Sequence, residues 1–281
     1  MRIIKRIKIS DWRERGTRTS QSFPGIAVSS SGRIVVGWRD APRKEAVSGQ
    51  NVLLSTSDDG GATWSAPRRC FTAPEVDGRI GYFRSAQPSA APDGRLLMHL
   101  CWVDGSRPGA PFFNEANSGL LDCRIFLSES RDDGESWSEP VRLDTAPFAA
   151  QPTPITGPVL VFPDGEIASQ FELNKPYDSP EVWRHLPIFN FSRDGGKTFY
   201  RHTIPAADPA TTSSTGISGR SSSPTDARSS TSSGLGITPP ASTATFRAPF
   251  PPTAAQHGAA PPTPASPDSP DNRSNSPTVR C

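Results

Sequence analysis

The chain lacks the features that would place it in several functional classes. It has only four cysteines in 281 residues, at positions 70, 101, 123 and 281. None are spaced as Cys-x-x-Cys, so nothing in their arrangement supports a metal centre. The formal net charge is only +2, which argues against nucleic acid or an anionic membrane surface as a partner. No apolar run approaches transmembrane length, so no membrane insertion is expected. The basic opening Met1–Ser10 has no unbroken apolar stretch and is not a signal peptide. A strand is expected there, and a cytoplasmic location overall. Cys101 and Cys123 lie in apolar, strand-like runs and read as buried free thiols. Convincing helical periodicity is missing throughout, which leaves an all-β reading.

A second set of absences divides the chain near residue 205. Residues 205–281 hold no Lys, no Glu, no Trp and one Leu, but 14 Pro and 26 Ser or Thr among 77 positions. Such a segment cannot bury enough apolar surface to offset its ordering entropy, so disorder is expected. Two origins fit the abrupt change: an out-of-frame reading of a GC-rich coding sequence, or a genuine Ser/Thr/Pro linker or stalk. Residues 1–204 hold all six Trp and all three Tyr and can build a core.

What is present is repetition. One phrase occurs three times, as Ser57-Asp58-Asp59-Gly60-Gly61-Ala62-Thr63-Trp64, Ser130-Arg131-Asp132-Asp133-Gly134-Glu135-Ser136-Trp137 and Ser192-Arg193-Asp194-Gly195-Gly196-Lys197-Thr198-Phe199. The pattern is Ser-x-Asp-x-Gly-x-(Thr/Ser)-(Trp/Phe). Each copy follows an apolar run (Val52–Leu54, Ile125–Leu127, Ile188–Phe191) and reads as a turn at a strand end. The Asp can accept backbone N–H bonds, the later Gly can supply a positive φ, and the aromatic re-enters the sheet as a packing residue.

A tight turn feeding a strand recurs upstream, at Ser31-Gly32-Arg33, Asp93-Gly94-Arg95 and Asp164-Gly165-Glu166, at intervals of 62 and 71 residues between the glycines. Each unit therefore reads as strand, tight turn, strand, longer loop, strand, Ser-x-Asp turn, strand. Four antiparallel strands repeated at this period describe β-propeller blades, placed at about 20–72, 84–145 and 151–204. In blade two the strands are expected near 84–90, 95–103, 123–130 and 137–143. Both stereotyped turns then share one face. The variable segments 40–50, 104–122 and 174–185 share the other, where binding and chemistry usually gather.

The three repeated turns resemble the Asp boxes of the sialidase (neuraminidase) superfamily, whose members are six-bladed propellers. The resemblance covers about 20–204. It implies that Ser57, Asp59, Gly61 and Trp64, Ser130, Asp132, Gly134 and Trp137, and Ser192, Asp194, Gly196 and Phe199 are structural. It also implies an exo-glycosidase without metal or organic cofactor, acting on a glycan terminus. Such enzymes clamp a carboxylate with three arginines, whose planar forks pair bidentately with it. They use an Asp acid/base and a Tyr nucleophile helped by a Glu, outside the usual two-carboxylate scheme.

The match to that machinery is mixed. The family's Tyr/Phe-Arg-Ile-Pro phrase falls on Gln21-Ser22-Phe23-Pro24, so Ser22 stands where an Arg is expected. Arg39 matches an Arg that closes the second strand; Asp40 and Glu45 follow it without clear register. The other arginines and the Tyr belong to later blades, so three blades imply an incomplete site, with two open ends and no evident cap. Candidates for catalysis on the loop face are Arg39, Asp40, Glu115, Asp122 and Glu172. Candidates for substrate binding are Arg84, Arg124, Lys175, Tyr177, Asp178, Arg184 and His185, with Gln87, Asn114, Asn117, Asn174 and Trp183 nearby. A non-catalytic propeller that binds carbohydrate or protein is the alternative, favoured by Ser22.

Overall fold

The computed structural model describes residues 6–155, 157–182, 185–205 and 278–280, all within one compact unit. Blade one contains β1 (Ser20–Val28), β2 (Ile34–Ala41) and β3 (Asn51–Ser57), antiparallel in that order. Reciprocal backbone bonds between Leu54 and Arg68 continue it at its outer edge. Blade two has β4 (Gly81–Ala90), β5 (Leu96–Asp104), β6 (Cys123–Ser130) and β8 (Val141–Arg142) in sheet order, with β7 (Ser136–Ser138) between the last two in sequence. Blade three runs β9 (Leu160–Val161), β10 (Ile167–Leu173), β11 (Leu186–Ser192), β12 (Arg201–Thr203). The fold is all-β; among the described residues the only helical element is a three-residue 3-10 turn, Trp12–Glu14.

The sheets pack face to face, and β5 shows why. All nine of its positions are buried, seven of them apolar with His99 and Asp104 between and after them, as expected for a strand covered on both sides. Leu96, Met98, Leu100 and Trp102 join a core shared with Val35, Val52 and Leu54 of blade one. The intervening residues face the other way: Leu97 packs with Ile167, Phe171 and Ile188 of blade three. That period of two is the pleat itself. His99, fully buried, ties the second interface through Nδ1 to the Gly157 carbonyl (2.9 Å) and Nε2 to the Ser169 hydroxyl (3.0 Å). Gly37 lets β2 lie against β4, since a Cβ there would stand 2.8 Å from the Ala86 carbonyl oxygen.

The three repeated turns are superimposable in their bonding. In the first, the Ser57 hydroxyl donates to Asp59 Oδ1 (2.8 Å) and accepts from the Gly61 amide (2.9 Å), while the Thr63 amide and hydroxyl donate to Asp59 (2.9 and 2.6 Å). Ser130, Asp132, Gly134 and Ser136 repeat this, as do Ser192, Asp194, Gly196 and Thr198. Hydrogen bonds from Thr63 and Thr198 hold the Asp59 and Asp194 carboxyls well below the usual range. At Asp132, burial opposes the same trend and the bonds from Ser136 and Ser130 prevail. Gly61, Gly134 and Gly196 adopt φ of 88°, 85° and 91°, where a side chain would be strained.

Two expectations need correction. Residues 6–10 form no strand; instead Ile9 packs sideways on Val36, Trp38 and Leu53, covering one face of blade one where no cap was foreseen. Of the tail, 206–277 and 281 lie outside the described residues, but Thr278–Arg280 form a strand (β13) antiparallel to β7 rather than being disordered. An edge strand's unpaired backbone groups attract such pairing. Cys101 and Cys123 are buried free thiols. No helix among the described residues is long and apolar enough to cross a membrane.

Candidate functional site

The loop face opposite the repeated turns collects the far ends of the strands. At this level the innermost strands of blades one and two both lose regular pairing, between Ser22 and Gly25 in β1 and between Phe83 and Ser85 in β4. Irregularities of this kind re-aim side chains and recur beside functional sites. In β1 the result is Phe23, at φ 53° and 46% exposed. In β4 it is Arg84.

Arg84 is half-buried, and its guanidinium lies over the Phe112 ring (4.1 Å) and near that of Phe23 (5.2 Å). Among the described residues its one hydrogen bond is long, 3.4 Å to Gln50 Oε1. Among the described residues no carboxylate pairs with it. Burial pushes its pKa down, against the opposing influence of the Cys101 and Cys123 thiols. The same Gln50 oxygen accepts from Arg39 Nε at 2.6 Å. Arg39 is buried, and its other nitrogens donate to Ser20 Oγ (3.3 Å) and to the carbonyls of Ala46 (2.6 Å) and Arg43 (3.5 Å). Burial first, and then repulsion from Arg84, push its pKa down to about 9. Gln50 is fully buried and its Nε2 has no hydrogen-bond partner among the described residues. Two guanidinium groups thus share one acceptor oxygen beside an unused donor.

The other candidates are engaged elsewhere. Asp40 is buried and ion-paired with Arg15 (3.2 Å) and Arg18. Asp122 pairs with Arg79 (2.7 Å) and Arg124 (2.9 Å), and Arg79 also holds Asp104 (2.9 Å). Arg124 donates further to the Gln151 carbonyl, 2.9 Å away. Glu115 is exposed on its loop. Gln87 donates to the Phe23 carbonyl, helping to fix that bend (3.0 Å).

Blade three holds a separate group. The half-buried Glu172 carboxyl has its pKa raised by burial, against a hydrogen bond from Asn174. It alternates with Phe171 and Leu173, which face blade two. Lys175 is buried and donates to the Glu181 carbonyl (2.8 Å). Asp178 pairs with Arg107 (2.6 Å), which lowers its pKa, and Arg107 lies over Tyr177 (5.1 Å). Burial and then Lys175 lower the pKa of His185. Trp183 and Arg184 lie outside the described residues. Among the described residues no hydrogen bond or ion pair links this group to Arg84.

Of the sequence candidates, then, the structure brings Arg39 and Arg84 together. It adds Gln50, Phe23 and Phe112, which motif reading passed over. The adjacent rings Phe112 and Phe113 in a loop between strands were the available signal. A 340 Å3 hollow on the turn face, lined by Asp93, Arg95, Leu97, Val161, Asp164 and Ile167, is a poorer candidate, because Arg95 is already satisfied by Asp93 and Glu129.

No family model and no curated protein matches the chain. Solved structures do match. The Hadza microbial sialidase Hz136 aligns over 66% of this chain and 37% of its own, at 18% identity and TM-score 0.50. The Ruminococcus gnavus intramolecular trans-sialidase, in complex with oseltamivir carboxylate, aligns over 72% of this chain and 64% of its own, at 10% identity and TM-score 0.51. A leech intramolecular trans-sialidase, complexed with 2,7-anhydro-Neu5Ac, aligns over 72% and 46%, at 11% identity and TM-score 0.51. The chain spans between 37% and 64% of the lengths of these proteins. At such identities the likeness speaks for architecture alone: the chain has a sialidase-like β-propeller fold.

Proposed function

We propose that the loop face binds the terminal residue of a glycan through an anionic group, a carboxylate, seated between blades one and two. The observation that carries this reading is Arg84, a half-buried cation stacked on aromatic rings with no acid partner among the described residues. A carboxylate presents two oxygens to its planar fork. The unused Gln50 Nε2 offers a further donor, and Phe23 and Phe112 supply apolar walls of the kind that line ligand sites. Binding would relieve the repulsion between Arg84 and Arg39. The solved trans-sialidase structures carry acidic ligands, which agrees with this choice of ligand class.

The test is calorimetric titration of the full chain with 3'-sialyllactose and with neutral lactose. The acidic sugar should bind and lactose should not. Arg84→Gln should weaken binding about 10- to 100-fold, the loss of a charge-assisted contact. Equal affinity for both sugars, or no effect of the variant, would refute the reading.

A second reading, hydrolysis of the terminal glycosidic bond, is favoured by Glu172. A carboxyl whose pKa is raised by burial suits a proton donor. Release of fluorophore from an aryl sialoside, abolished in Glu172→Gln, would support it. Binding without turnover leaves the carbohydrate-binding propeller.

A further inference from the structure

Cys101 on β5 and Cys123 on β6 are buried free thiols that neither the repeated turns nor the glycan reading uses. Far apart in sequence, they are brought together by strand register: Cys101 lies opposite Ile125, and Val103 opposite Cys123. They are therefore diagonal neighbours on one face of the sheet, walled in by Val47, Val103, Phe112, Leu120 and Leu121. The two thiols hydrogen-bond to one another, and the Ile155 amide donates to the Cys101 sulfur. The Cys123 thiol also reaches the Leu121 carbonyl (3.1 Å). Diagonal neighbours stand about 7–8 Å apart, past the Cα separation of up to about 7 Å that a disulfide spans. The pair is thus set for an atom between the sulfurs rather than a bond joining them. The guanidinium of Arg84, stacked on Phe112 of the same cluster, acts on both sulfurs as a positive charge.

We infer that Cys101 and Cys123 together bind a soft monovalent cation, copper(I), in two-coordinate geometry. Thiolates select soft ions. A structural zinc would take four ligands, and among the described residues no group of three or more His, Cys, Asp and Glu is placed to hold a metal. A two-coordinate ion needs only this pair. On binding, both S–H bonds break, two S–Cu bonds form and two protons leave to solvent; no electron moves. Two thiolates and one monovalent cation carry one net negative charge, and Arg84 balances it, so the apolar chamber holds no uncompensated charge. The Ile155 amide orients the Cys101 sulfur from beyond the metal's own ligands. Tyr82 and Tyr177, only partly buried at the edge of the cluster, mark where the ion would enter from the loop face. The inference does not rest on the glycan reading, because the ligands are the two sulfurs.

The test is anaerobic titration of the reduced full chain with copper(I) supplied as its coloured bicinchoninate chelate. The unmodified chain and Cys70→Ser should both withdraw copper, one ion per chain in Cys70→Ser. Adding Cys101→Ser or Cys123→Ser to that variant should abolish the uptake. Arg84→Gln should weaken it about tenfold, the cost of leaving a buried negative charge without its partner. Circular dichroism checks that each variant is folded. Where a cysteine variant is not, X-ray absorption of the copper-loaded Cys70→Ser chain decides, with two sulfur neighbours and no other ligand expected. No uptake by the unmodified chain would overturn the site. So would uptake that survives Cys101→Ser, uptake lost in Cys70→Ser, or nitrogen or oxygen neighbours in the spectrum.

Discussion

The two faces of the propeller are built on opposite principles. On the turn face, each Asp of the repeated phrase accepts bonds from a Ser hydroxyl and from the amide and hydroxyl of a residue four positions on, identically in three blades. On the loop face, Arg39 and Arg84 share one oxygen, Gln50 Nε2 has no partner among the described residues, and two strands break register. The Asp and Ser groups of the first face are satisfied within the chain; on the second, a buried donor has no partner among the described residues. Repetition marks the scaffold, and departure from it marks the site.

That contrast can be broken experimentally. The largest effect is expected between the faces, where both hang on the same blades. His99 is pushed down from 6.5 to about 4 by burial, with the Gly157 carbonyl opposing. The unfolded chain therefore takes up a proton below pH 6.5, while the folded chain does not until about pH 4. Stability should be full above pH 6.5, fall by up to about 3 kcal/mol as pH drops toward 4, and level off below. Melting temperature against pH should show this fall, and His99→Gln should flatten it. A wild-type curve that is flat across this window would contradict the role given to His99.

Next comes Ser130→Ala on the turn face. It removes the donor to Asp132 and leaves the buried Gly134 amide without an acceptor, at a cost of about 1–3 kcal/mol. Denaturant unfolding should show the loss, and affinity for 3'-sialyllactose should not change. The smallest stability effect belongs to Arg84→Gln, which relieves charge repulsion on Arg39. Its unfolding free energy should be unchanged or raised by about 0.5 kcal/mol, even as binding is lost. If it destabilises as much as Ser130→Ala, the loop face is scaffold too.

The scaffold was legible because it is local. Ser57, Asp59 and Thr63 bond within seven residues, so their spacing carries the geometry. The strands fell within a few residues of their expected places, as with β6 at Cys123–Ser130. The site is not local. Arg84 stands out only because Phe23, Gln50 and Phe112 converge on it from other blades and loops. Asp40, attractive beside Arg39 in sequence, is tied up by Arg15 and Arg18 from a segment whose path no pattern betrayed. A charge is available only if no distant partner claims it, and sequence does not reveal distant partners.

Gly37 has a reach beyond its own strand. It sits two residues before Arg39 on β2, and the Ala86 oxygen that it nearly touches sits two residues after Arg84 on β4. A single methyl at position 37 would force the two strands apart at the level of both arginines. The spacing of the two positive charges is thus tied to the smallest side chain the chain can offer.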